Sequence, residues 1–179
     1  MEEMEVPTEH LQEAIHERAE EEKEKWALYV ALSTAFIAVL AAIAGLLGGH
    51  HVNEALIDQI KSSDQWAFYQ SKSIKSEIAA STAKILEAMP GKTVPAETKE
   101  AIARYNKEKE EIKAKAEEHE KTSETHLEKH VTLSKSVTIF QIAIAISAIA
   151  ILTRKKKLWY AALFLSVIGA VFLILGIVN

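Results

Sequence analysis

The sequence predicts an all-α membrane protein with three transmembrane helices and a long antiparallel helical hairpin outside the bilayer. Three observations carry that expectation. Apolar runs near residues 26–48, 136–153 and 158–178 are almost free of charge, and about 20 apolar helical residues span a bilayer core roughly 30 Å thick. A charged stretch, residues 49–132, separates the first run from the second. Six Gly and three Pro in 179 residues are too few for a β-protein rich in turns.

Residues 1–25 predict a cytoplasmic juxtamembrane helix. Thr8 follows Pro7 as a candidate N-cap, and the acidic residues after it suit the positive end of a helix dipole. Leu11 and Ile15 form a sparse apolar stripe. The first run follows a long acidic leader and exceeds the roughly 7–15 residues of a signal peptide core. It is expected to be an anchor, transmembrane helix 26–48. Ala31/Ala35, Ala38/Ala42 and Ala41/Gly45/Gly49 repeat at four-residue spacing, which lets helix backbones approach closely in lipid.

Residues 49–132 predict two helical arms around one break, with the hairpin tip near 90–96. Pro90, Gly91 and Pro95 end one helix and start the next. At 1.5 Å per residue each arm reaches roughly 50–60 Å. On the return arm Ile102, Tyr105, Lys109, Ile112, Ala116, His119, Ser123, His126, His130 and Leu133 alternate three and four apart, as a coiled-coil seam does. On the outgoing arm Leu56, Ile60, Ser63, Ala67, Gln70, Ile74, Ile78, Ser81, Ile85 and Met89 are expected to face them, with extra four-residue steps. Several seam positions are polar or small, so an oligomer or a partner is expected to complete the packing.

The second membrane helix is placed at 133–153 and the third at 158–178, joined by a basic loop at 154–157. Arg154, Lys155, Lys156 and Lys157 mark that loop as cytoplasmic, since Lys and Arg near membrane ends set topology. Arg18, Lys23 and Lys25 ahead of the first helix agree. The N-terminus is then inside and the hairpin extracytoplasmic. Trp159 and Tyr160 open the third helix at the interfacial level.

Candidate chemistry is sparse. There is no cysteine, and the net charge of −4 gives no footprint for nucleic acid. Pro90-Gly91-Lys92-Thr93 ends like a phosphate loop, but Leu86 stands where that motif needs its first glycine. His126 and His130 lie one helical turn apart, with His119 on the same stripe and His50 and His51 at the membrane end of the other arm. They are expected to be seam histidines satisfied by hydrogen bonds rather than metal ligands. Trp66, Phe68 and Tyr69 fan around their helix, so one or two of them should meet another chain. Gln141 is the candidate polar group for an interhelical bond in the membrane. No catalytic residue and no cofactor site is assigned, and an enzyme is not expected.

Four segments carry a family resemblance. They are Glu5 to Leu11, Val30-Ala31-Leu32-Ser33-Thr34-Ala35, Gly49-His50-His51-Val52-Asn53-Glu54-Ala55, and Ser63-Asp64-Gln65-Trp66-Ala67-Phe68-Tyr69-Gln70-Ser71-Lys72. Together they resemble the bacterial membrane family known as domain of unknown function 4337. The resemblance implies a multi-pass protein of the bacterial inner membrane and supplies no catalytic residues. The expected role is a homo-oligomeric scaffold, or an accessory subunit presenting its hairpin to a protein partner. The alternative is a small oligomeric channel or transporter component.

Overall fold

The computed structural model describes residues 8–178, with side chains at Glu20 and from Glu24 onward. The side chains of Thr8, the candidate cap, of the Leu11–Ile15 stripe, and of Arg18 and Lys23 lie outside the described residues. Three helices follow in order: α1, Thr8–Ala88, α2, Ala96–Thr153, and α3, Lys156–Val178. No strand occurs among the described residues. All three helices are long and apolar enough to cross a membrane.

The breaks have local causes. Pro90 brings no N–H to a further helical turn, and α1 stops at Ala88. Gly91 takes a positive φ of 76°, which a residue without Cβ adopts freely. The Lys92 N–H then returns to the Met89 carbonyl at 3.2 Å. Pro95 leads into α2, where its carbonyl receives the Thr98 N–H at 3.1 Å. Between α2 and α3 the turn is tighter than the four-residue loop expected, because α3 already begins at Lys156. Arg154 sits at φ 53°, the Lys155 N–H reaches the Ala150 carbonyl and the Arg154 N–H the Ile151 carbonyl, both at 3.2 Å. This is a Schellman cap, with arginine in the left-handed position that glycine usually fills.

The chain divides into two compact units, one within Met1–Leu47 and Val131–Asn179, the other Gly48–His130. In the first, α1 buries Val30, Ile37 and Ala44 at seven-residue spacing. Ile37 and Ala44 join Leu133, Phe140 and Ala143 of α2 and Ala162 and Leu173 of α3 in one core. Two glycines let α3 approach α2. A Cβ at Gly169 would lie 2.9 Å from the Phe140 ring, and one at Gly176 would lie 2.7 Å from the Leu133 side chain. The Ser136 hydroxyl donates to the Gly169 carbonyl at 2.8 Å, and the Trp159 indole N–H donates to the Ser33 hydroxyl at 3.1 Å. Leu32, Phe36, Val39, Ile43 and Leu46 of α1 and Phe164 and Val171 of α3 face outward. A helix that is apolar on every side suits hydrocarbon surroundings.

In the second unit, Ile112, Ala116 and Ser123 of α2 are buried, on the stripe the heptad spacing marks. The outgoing arm departs from expectation. Leu56, Ile60, Ile74, Ile78, Ile85 and Met89 are exposed, and α1 turns Ala55, Asp58, Ser62 and Ser76 inward instead. The reason lies in what the inward side chains do. Each polar one finds a partner on α2 or beside itself, so burying them leaves no group unsatisfied.

Candidate functional site

The candidate site is the polar seam of the second unit, built from layers one helical turn apart. His130 Nδ1 donates to the Gly48 carbonyl at 2.8 Å. His51 Nδ1 and His126 Nδ1 lie 3.0 Å apart. The Ser123 hydroxyl donates to the Ala55 carbonyl at 2.8 Å. His119 Nδ1 meets Asp58 Oδ1 at 3.0 Å. The Ser62 hydroxyl donates to the Ala116 carbonyl at 3.1 Å. Farther along, the Ser76 hydroxyl donates to Asn106 Oδ1 at 2.9 Å. Partner numbers rise on α1 as they fall on α2.

These bonds fix protonation. A backbone carbonyl only accepts, so the His130 Nδ1 carries a proton, and the Asp58 carboxylate asks the same of His119. Between His51 and His126 one Nδ1 donates and the other accepts, which requires at least one neutral ring with its proton on Nε2. Two imidazolium rings would point N–H groups at each other and open the layer. Burial pushes His51 below the ordinary histidine value, and His126, Lys129 and His50 add to it against Glu54. Burial alone would raise the Asp58 carboxyl. Hydrogen bonds from Lys61, at 3.3 Å, and from His119 outweigh it and hold the group below the ordinary carboxylate value.

Beyond Ser62 the seam becomes aromatic and cationic. Trp66 and Tyr69 are half-buried and meet edge to face at 5.6 Å. The Lys109 ammonium lies 5.5 Å from the Tyr69 ring. Lys72 lies 5.2 Å from the Phe68 ring and 5.5 Å from that of Tyr105, while pairing with Glu108 at 2.6 Å. That hydrogen bond holds the Glu108 carboxyl below its ordinary value, against the pull of burial. Phe68 itself is exposed.

Of the histidines singled out in the sequence, His51 and His126 meet, while His119 bonds to Asp58, His130 to the Gly48 carbonyl, and His50 is exposed with its ring 5.5 Å from that of His51. Among the described residues no group of three or more histidines and carboxylates gathers as a metal site would need. Gln141 is exposed on α2 within its own unit. The residues missed in the sequence are Asp58, Ser62 and Ser76. A signal was present: Ala55, Ser62, Tyr69 and Ser76 repeat every seven residues, a small and polar stripe overshadowed by the isoleucines beside it.

The fold defines an all-helical chain with three helices long and apolar enough to cross a membrane. Its sequence matches a family described as Domain of unknown function (DUF4337) over residues 26–179. The chain belongs to that family. No curated protein and no solved structure matches it.

Proposed function

We propose that this chain is a multi-pass protein of the bacterial inner membrane that assembles with copies of itself into a scaffold. In this reading residues 49–132 form an antiparallel hairpin on the extracytoplasmic side, presented to partner proteins. The opposed numbering of the seam partners supports the antiparallel arrangement. The exposed Arg154-Lys155-Lys156-Lys157 turn supports a cytoplasmic N-terminus. One observation carries the scaffold reading: the hairpin closes its own seam with polar groups and leaves most of its large aliphatic side chains outside.

Native mass spectrometry of the protein released from lipid nanodiscs tests it. A discrete oligomer is expected, and a monomer would overturn the homo-oligomeric scaffold.

A second reading, a small oligomeric channel, draws on Gln141. An amide exposed midway along an apolar helix is costly against lipid unless water or another chain meets it. In a channel, Gln141→Leu would change the conductance of protein-loaded liposomes. Flux indifferent to that change would leave Gln141 as a contact between subunits.

A further inference from the structure

We propose that the outer face of α1 between Ile57 and Ala88 binds the same face of a second copy, side by side, parallel and in register. This rests on the homo-oligomeric reading above and names its surface. Ile57, Ile60, Ile74, Ile78 and Ile85 are 44%, 61%, 60%, 62% and 58% exposed. They fall on one alternating series of three- and four-residue steps, 57, 60, 64, 67, 71, 74, 78, 81, 85 and 88. Unbroken spacing of this kind keeps a seam facing a partner helix over many turns.

The series lies on the side of α1 opposite the polar seam. Ser62, Tyr69 and Ser76 trail Ile60, Ala67 and Ile74 by two residues, close to half a turn. Ile78, at the edge of the series, also borders a groove shared with Glu97, Thr98, Ala101 and Tyr105 of α2.

Three features of the stripe favour a second copy. Copies of a membrane-anchored chain share one orientation, so their α1 helices stand parallel. Each layer of a parallel, in-register pair then meets its own kind, isoleucine on isoleucine and Ala67 on Ala67. The area is also adequate. Leu56, Phe68 and Met89 flank the five isoleucines and are about half exposed. With roughly 100 Å² open on each of these side chains, the stripe offers on the order of 800 Å², the share of one partner in a standard interface.

Asp64 is the one ionised residue in the series, and the pairing brings two of them together. A polar residue at a seam position weakens a coiled coil while fixing its register.

The absence of cysteine from the natural chain makes the test direct. Single cysteines replace Ile74, Ile78 or Ile85, and Glu118 on the exposed face of α2 as a control, in full-length protein in nanodiscs under mild oxidant. A disulfide forms only where Cα atoms come within about 7 Å. Several-fold more disulfide dimer is expected at the three α1 positions than at Glu118→Cys. Asp64→Asn should raise the dimer yield at Ile74→Cys, whereas a basic foreign helix on this face would lose its partner.

A discrete oligomer by native mass spectrometry without dimer at the α1 positions overturns this surface and leaves the scaffold standing. A monomer removes both. Equal cross-linking at Glu118→Cys reads as random collision and also overturns the inference.

Discussion

Replacing Gly169 by alanine is a sharp test of how α2 and α3 pack. The new Cβ would stand 2.9 Å from Phe140 Cδ1 and Cε1 and 3.3 Å from Cγ. Phe140 is fully buried, and its ring is a rigid plate with no flexible end to yield. Overpacking a filled core costs about 1–3 kcal/mol, whereas alanine in place of glycine inside a helix gives back about 1 kcal/mol. The expected net effect is a loss of about 1 kcal/mol.

Gly45→Ala supplies the reference, because a Cβ there meets nothing within 4 Å. It should gain up to about 1 kcal/mol. The difference between the two variants cancels the backbone preference and isolates the steric cost, about 1–3 kcal/mol. Gly176→Ala, whose Cβ would lie 2.7 Å from both Leu133 Cγ and Cδ2, should be at least as costly as Gly169→Ala. Equilibrium unfolding in mixed micelles with rising dodecyl sulfate reads all three. Phe140→Leu in the Gly169→Ala background should recover part of the loss by freeing the space. If Gly169→Ala gains as much as Gly45→Ala, the close approach of α3 to Phe140 is refuted.

Two further outcomes follow from the seam and the turn. His51 holds its proton less tightly than an ordinary histidine, so the unfolded chain takes one up first as pH falls. The layer's contribution is complete above about pH 6.5 and declines as pH drops through the lowered native value. Amide exchange in residues 50–62 and 116–130, corrected for intrinsic rate, should therefore quicken between about pH 7.5 and 5.5. Unchanged protection would count against the His51–His126 layer. At the α2–α3 turn, arginine in a left-handed conformation costs about 1–2 kcal/mol relative to glycine. Arg154→Gly should stabilise the protein by about 1 kcal/mol in the same micelle titration, and a loss would speak against the cap at Arg154.

Most of the architecture was legible because lipid and proline impose simple rules. Apolar runs of the required length stand out against charged surroundings, and Pro90, Gly91 and Pro95 leave little choice about where α1 ends. The stripe on α2 was legible as well. Ile112, Ala116, Ser123 and Leu133 keep one phase, and all four are buried. The phase of α1 differs from expectation because hydrophobicity alone assigns the interior to the isoleucines, which are exposed. That rule fails where small polar side chains bond across the interface. Serine hydroxyls bonded to backbone carbonyls at Ala55 and Ala116 need helices in close approach, and a large isoleucine in the same layer would hold them apart. Of the histidines on the stripe, His126 meets His51, whereas His119 and His130 bond to groups the stripe did not mark. Gly48 contributes a carbonyl, and no sequence pattern marks that.

The two faces of α1 in the proposed hairpin answer different physical demands. A seam of directional bonds sets register, since Ser62, Ser123 and His130 each address one particular carbonyl. A slip by a single residue would break these bonds together and strand buried polar groups, at about 1–3 kcal/mol each. Isoleucines carry no such address, and an interface made of them alone tolerates sliding. Their place is where something else fixes the register. In the proposed assembly, the shared insertion depth of copies in one membrane would do so. Closing the internal seam with polar bonds leaves the apolar area free for the contacts between copies proposed above. In that proposal the polarity of the seam, which made the isolated pair of helices look weakly held, specifies the fold of each copy before assembly.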